Sequence, residues 1–91
     1  MKFFAVLLPV LDVQKSNQFR GQHLEFLEKM RNEGHVIANG KFTDGSGGLV
    51  IYKAASYEEC ESFVKQDPFV RESARRYEIF EWDAVWADNG N

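Results

Sequence analysis

Ninety-one residues, 44% hydrophobic, 27% charged and 14% aromatic, describe one ordinary globular domain and exclude a disordered or low-complexity chain. A formal charge of −3 excludes the electrostatic footprint of a nucleic-acid binder, because the one basic cluster, Arg71 to Arg76, is short and interrupted. The single cysteine cannot close an intrachain disulfide, and no signal-peptide pattern opens the chain, so a reducing cytoplasm is the expected setting.

Residues 2–11, KFFAVLLPVL, form a continuous apolar run that predicts a strand buried on both faces and ending near Pro9. From Phe3 to Leu11 the run is too short to span a bilayer, and no membrane partner is expected. A polar loop over 12–18 follows, with Ser16 or Asn17 placed to cap the first helix and Gly34 to end it. Residues 35–43 and 48–55 alternate as strands around the hairpin Asp44-Gly45-Ser46-Gly47-Gly48, with a bulge expected at Asn39-Gly40. Ser56 to Glu59 is a capping box opening a second helix, whose inward stripe is Tyr57, Cys60, Phe63 and Val64 and which Pro68 ends. Cys60 on that stripe reads as inert core. After a turn over 69–75, residues 77–86 predict the last strand, and 87–91 a frayed tail.

The order βαββαβ is that of the ferredoxin-like α+β plait, an antiparallel four-stranded sheet with two helices on one face, in a single domain over 1–91. Two helices cover one face only, yet the outer strands of the sequence carry large apolar side chains on both. A chain this short also hides only about 60–65% of its unfolded surface. Both points predict a homodimer through the open sheet face.

The first helix carries the feature that points to chemistry. At about 100° per residue, Phe19, Phe26, Leu27 and Met30 share one side with Leu24 on the flank, and His23 falls in the middle of that stripe with Arg20 at its edge. A buried histidine satisfied by backbone carbonyls is one reading. The other requires a carboxylate that orients one ring nitrogen and leaves the second facing a pocket. The topology gathers the start of the first helix, the hairpin, the end of the second helix and the start of the last strand at one end of the sheet. Those segments bring Arg20, His23, Asp44, Ser46, Asp67, Phe69 and Tyr77 together and leave His35 at the opposite end. Asp44 is also a natural turn residue before Gly45, and Asp67-Pro68 a routine helix stop. Both aspartates stay open as partners of His23. A metal would need more ligands than His23 and one or two aspartates, so no metal is expected. The glycine-rich 44–48 segment runs into a strand and lacks the Lys-Ser/Thr of a phosphate loop.

Arg20-x-x-His23 on the first helix, Gly40 then Asp44 and Gly47-Gly48, Asp67-Pro68-Phe69 after the second helix, and Tyr77 and Trp82 in the last strand together resemble the YciI-like (YCII-related) family. The resemblance covers about residues 2–83. It implies a dimeric α+β barrel, similar in fold to muconolactone isomerase, and a His with a nearby Asp as the site: His23 with Asp44 or Asp67. One branch of the family is associated with dehydrochlorination of a chlorinated hydroquinone. The expected function is a cofactor-independent enzyme of lyase or isomerase type, with His23, Asp44 and Asp67 as the proton-transfer set. Arg20, Ser46, Phe69 and Tyr77 are placed to bind a small anionic or aromatic substrate. The alternative is a module of the same fold that binds a small ligand or a partner without changing it.

Overall fold

β1 (Lys2–Pro9) runs through the interior of the sheet, and its burial alternates strictly: Phe4, Val6 and Leu8 are buried, while Phe3, Ala5, Leu7 and Pro9 are half-exposed. A period of two follows from the pleat. The expectation of burial on both faces is thus met on one face only, because the helices of this chain lie on one side of the sheet. The computed structural model describes residues 1–87. Its further elements are α1 (Val13–Asn32), β2 (Val36–Lys41), β3 (Gly47–Ala54), α2 (Tyr57–Val64), the short α3 (Pro68–Arg71) and β4 (Glu78–Glu81). The four strands pair antiparallel in the order β2-β3-β1-β4, which is the ferredoxin-like α+β architecture.

α1 begins earlier than its sequence suggests. Asp12, not Ser16 or Asn17, is the cap: its carboxylate accepts the Lys15 N–H at 2.9 Å, so the predicted polar loop is the helix's first turns. Ser16 turns inward, and its hydroxyl donates to the Ala74 carbonyl at 3.4 Å. Ser16, His23, Leu27 and Met30 are the buried residues of α1, a stripe set by spacings of seven, four and three. Phe19 and Phe26 are half-buried beside it. Gly34, at φ +83°, ends the helix in the left-handed conformation that glycine adopts at no steric cost.

The register of β2 on β3 shifts between Val36 and Ala38, within the same strand but before the expected bulge at Asn39-Gly40. Gly47 lies against β1 so closely that a Cβ there would overlap the Leu8 carbonyl oxygen.

Ser56 caps α2, accepting the Glu59 N–H at 3.1 Å, while Glu59 reaches back to accept the Ala55 N–H at 2.9 Å. Cys60 and Val64 reach the core together with Tyr52 and Ala54 of β3, but Tyr57, expected on the same stripe, is exposed. α2 stops at Val64. Pro68 does not end it but starts α3, where its missing N–H costs nothing, and the last three residues of that helix occupy the start of the expected turn over 69–75. β4 is shorter than the predicted 77–86: the Trp82 N–H donates to the Phe3 carbonyl at 2.8 Å, and 82–87 is irregular. The rest of the predicted tail, 88–91, lies outside the described residues. No helix among the described residues is long and apolar enough to cross a membrane.

Candidate active site

His23 and Asp67 meet although 44 residues separate them: Nδ1 of the imidazole donates to Oδ1 of the carboxylate at 2.8 Å, with both side chains buried. Their positions have separate local causes. His23 stands at the middle of the inward stripe of α1. Asp67 is the N-cap of α3, and the same Oδ1 accepts the Phe69 N–H at 2.9 Å. The carboxylate therefore holds a turn and an imidazole at once. Its other oxygen, Oδ2, is buried with no hydrogen-bond partner among the described residues.

Phe69 fixes the plane of the imidazole, with ring centroids 3.8 Å apart and planes 12° from parallel. The guanidinium of Arg75 also rests on the Phe69 ring, 4.5 Å from its centroid. Nε of Arg75 donates to the Ser16 hydroxyl at 3.0 Å, and Nη1 to the Leu8 carbonyl at 3.1 Å. Burial pulls the Arg75 guanidinium below its ordinary pKa, the Asp67 carboxylate pushes it up, and Arg20 pulls it down again.

His23, Phe69 and Arg75 form part of the wall of a cleft of about 200 Å³ between α1 and the inner face of the sheet. Arg20 and Leu24 border it from α1, Lys41 and Asn39 from β2, and Leu8 and Val50 from the sheet floor. With Nδ1 committed to Asp67, Nε2 is the nitrogen left for an occupant of the cleft. In the neutral ring that atom is a lone-pair acceptor.

The other predicted residues lie elsewhere. Asp44 is exposed in the β2–β3 hairpin, where it accepts the Ser46 N–H at 2.9 Å, and these bonds with Ser46 hold its carboxyl below the ordinary range. It does not meet His23, because its own turn consumes it. Ser46 is exposed in the same hairpin and is not part of the cleft wall. Tyr77 is not part of that wall either: its hydroxyl donates to Glu61 Oε2 at 2.8 Å, a bond that raises its pKa. Arg20 and Phe69 do border the cleft, as expected. The residue missed was Arg75. Its place in a basic cluster after Asp67-Pro68 was visible, but nothing in that segment showed the reversal at Ser73 that brings it to the cleft. No group of three or more His, Cys, Asp or Glu side chains comes together to hold a metal among the described residues.

An antiparallel ferredoxin-like sheet with a cleft under its first helix, lined by a His23 that is bonded to the buried Asp67, defines a small α+β protein of the ferredoxin-like class. Within that class the chain belongs to the YCII-related domain family, whose model matches residues 1–83. It is 30% identical over 80 residues to the uncharacterized protein YjpA of Bacillus subtilis (strain 168), covering 87% of this chain and 94% of that protein. Among solved structures, it resembles 5-chloro-2-hydroxyhydroquinone dehydrochlorinase (TftG) of Burkholderia phenoliruptrix AC1100, in complex with 2,5-dihydroxybenzoquinone. That likeness has a TM-score of 0.77 at 21% identity, over 91% of this chain and 95% of that one. It also resembles muconolactone isomerase, with a TM-score of 0.71 at 16% identity, over 94% of this chain and 97% of that one. At these identities the structural likeness establishes the fold.

Proposed function

We propose that this protein is a small-molecule enzyme of lyase or isomerase type in which His23 transfers a proton at Nε2 and Asp67 fixes its tautomer. The observation that carries the reading is the 2.8 Å bond that Asp67 Oδ1 makes, from behind, to Nδ1 of His23, a residue that lines the cleft. The Asp67 carboxylate stabilises the imidazolium that forms when Nε2 takes a proton from the substrate. In an isomerisation the same proton returns at another atom. In an elimination it stays on Nε2 while the leaving group departs as an anion, so no electron acceptor is needed. Arg20 supplies positive charge for an anionic substrate. The fold shared with a dehydrochlorinase and an isomerase supports this class of reaction. Positioned proton transfer contributes about 10²- to 10⁴-fold. His23→Asn should therefore lower kcat on a substrate found by screening small ring acids and phenols by about that factor. Unchanged turnover would remove His23 from the mechanism, and a ligand that binds but emerges unaltered from long incubation would favour a binding module.

The assembly proposed is a homodimer through the sheet face opposite the helices. Ala5 and Phe80 pair in register there, Leu7 pairs with Leu49, and Phe80 is 52% exposed in the single chain. Leu7→Glu with Phe80→Glu should give a monomer by light scattering; a native chain already at monomer mass contradicts the proposal. A reducing compartment, the cytoplasm, fits a lone cysteine buried as a free thiol.

A further inference from the structure

Arg20, Lys41 and Arg75 all border the cleft, and none makes a salt bridge to a carboxylate among the described residues. In a chain of net charge −3 that convergence is not a general excess of positive charge. Arg75 differs from the other two. It is half-buried, and its bonds to Ser16 and Leu8 use Nε and Nη1, leaving the Nη2 hydrogens without a protein acceptor among the described residues. A guanidinium held in one orientation loses little freedom when it binds an oxyanion. Arg75 and the imidazole of His23 share the Phe69 ring, at 4.5 and 3.8 Å. Both residues also line the cleft, so one occupant can face the guanidinium and the imidazole together.

We infer that Arg75 is the anion anchor of the cleft and sets its specificity for a single planar ring carrying an oxyanion, either a carboxylate or a phenolate. Arg75 holds the oxyanion, with Arg20 and Lys41 adding charge at the mouth, while Leu8, Leu24 and Val50 cover the ring. The far edge of the ring then faces Nε2 of His23. At about 200 Å³ the cleft is smaller than the pockets of about 300 to 1,000 Å³ that take drug-sized ligands, which favours a single-ring occupant. This inference rests on the cleft being the substrate site, but not on proton transfer there.

Calorimetric titration of the intact chain with benzoate, 4-nitrophenolate, their neutral counterpart benzamide, and inorganic phosphate tests it. Both ring anions should bind at least about 10-fold more tightly than benzamide, and phosphate more weakly than benzoate, since hydrogen bonds to a charged group and ring burial both contribute. Arg75→Met should weaken the ring anions about 10- to 100-fold and leave benzamide unchanged. If Arg75→Met does not fold, Arg75→Lys, which keeps the charge and loses the fork, should still weaken benzoate more than Arg20→Gln does. Benzamide binding as tightly as benzoate overturns the inference, as do absence of saturable binding by either ring anion and full benzoate affinity in an Arg75 variant. His23→Asn separates the two readings. It should retain benzoate binding, so a native chain that binds ring anions yet turns over none of them leaves the anchor standing and removes the proton transfer.

Discussion

Replacing Asp67 by alanine tests the place where one carboxylate caps a helix and holds an imidazole. The substitution removes the N-cap of α3, worth about 1 kcal/mol. It also leaves Nδ1–H of His23, in a buried ring, without its acceptor, at about 1–3 kcal/mol. Loss of Oδ2, which is buried without a partner, returns part of that cost, so the net destabilisation is about 1–3 kcal/mol. For a domain of this size each kcal/mol moves Tm by about 4–8 °C, and urea denaturation should show the same loss as a lower midpoint at constant slope. The pairwise part is isolated by a double-mutant cycle with His23→Ala, where a charge-assisted bond predicts a coupling of about 1.5–3 kcal/mol. A coupling below about 0.3 kcal/mol would mean that the two side chains are neighbours without being partners, and the reasoning would fail. Asp44→Ala is the control. Its carboxylate is exposed and accepts one N–H within its own turn, so its loss should move the urea midpoint at neutral pH far less than the loss of Asp67 does.

Cys60 is fully buried, and burial first, then the nearby Glu61 charge, push its thiol up to about 12, so iodoacetamide at pH 8 should label it only as fast as the chain unfolds. Rapid labelling of the native protein would contradict its place in the core. Gly47→Ala should destabilise the fold by about 1–3 kcal/mol through collision with the Leu8 carbonyl, whereas Gly45→Ala strains only the backbone, since open space surrounds a Cβ there. Equal Tm losses would refute that ordering. The lowered carboxyl of Asp44 contributes stability above the ordinary carboxylate range and loses it as pH falls through the lowered value. Asp44→Asn should flatten the acid limb of the urea midpoint against pH, and an unchanged limb would show that the turn bond is immaterial.

The elements were legible from a continuous apolar run in β1, from alternation over 48–55, and from the side of α1 that Phe26, Leu27 and Met30 share with His23. Boundaries were less so. Asp12, Ser16 and Asn17 are all competent caps, and which one works depends on whether Ser16 is drawn inward by the Ala74 carbonyl, a contact across 58 residues. Burial of His23 could be read from its place on the stripe, and the meeting with one end of the sheet from topology. Choosing between Asp44 and Asp67 could not, because each is locally a good turn residue, and the difference lies in whether the turn leaves the carboxylate exposed or tucks it beneath a helix. Arg75 escaped notice for a related reason: Ser73, at φ +58°, reverses the chain after α3, and no glycine announced that reversal.

Three consecutive residues, Asp67, Pro68 and Phe69, deliver the acceptor, the helix start and the stacking platform. Chain length at that point is consequently a ruler: one inserted residue would rotate the ring and the carboxylate away from each other, however well the fold tolerated it. The exposed hairpin tip at 42–46 has no such duty and can change in length without disturbing the dyad. Variation in length among relatives should therefore accumulate at that tip, while the tripeptide keeps its spacing.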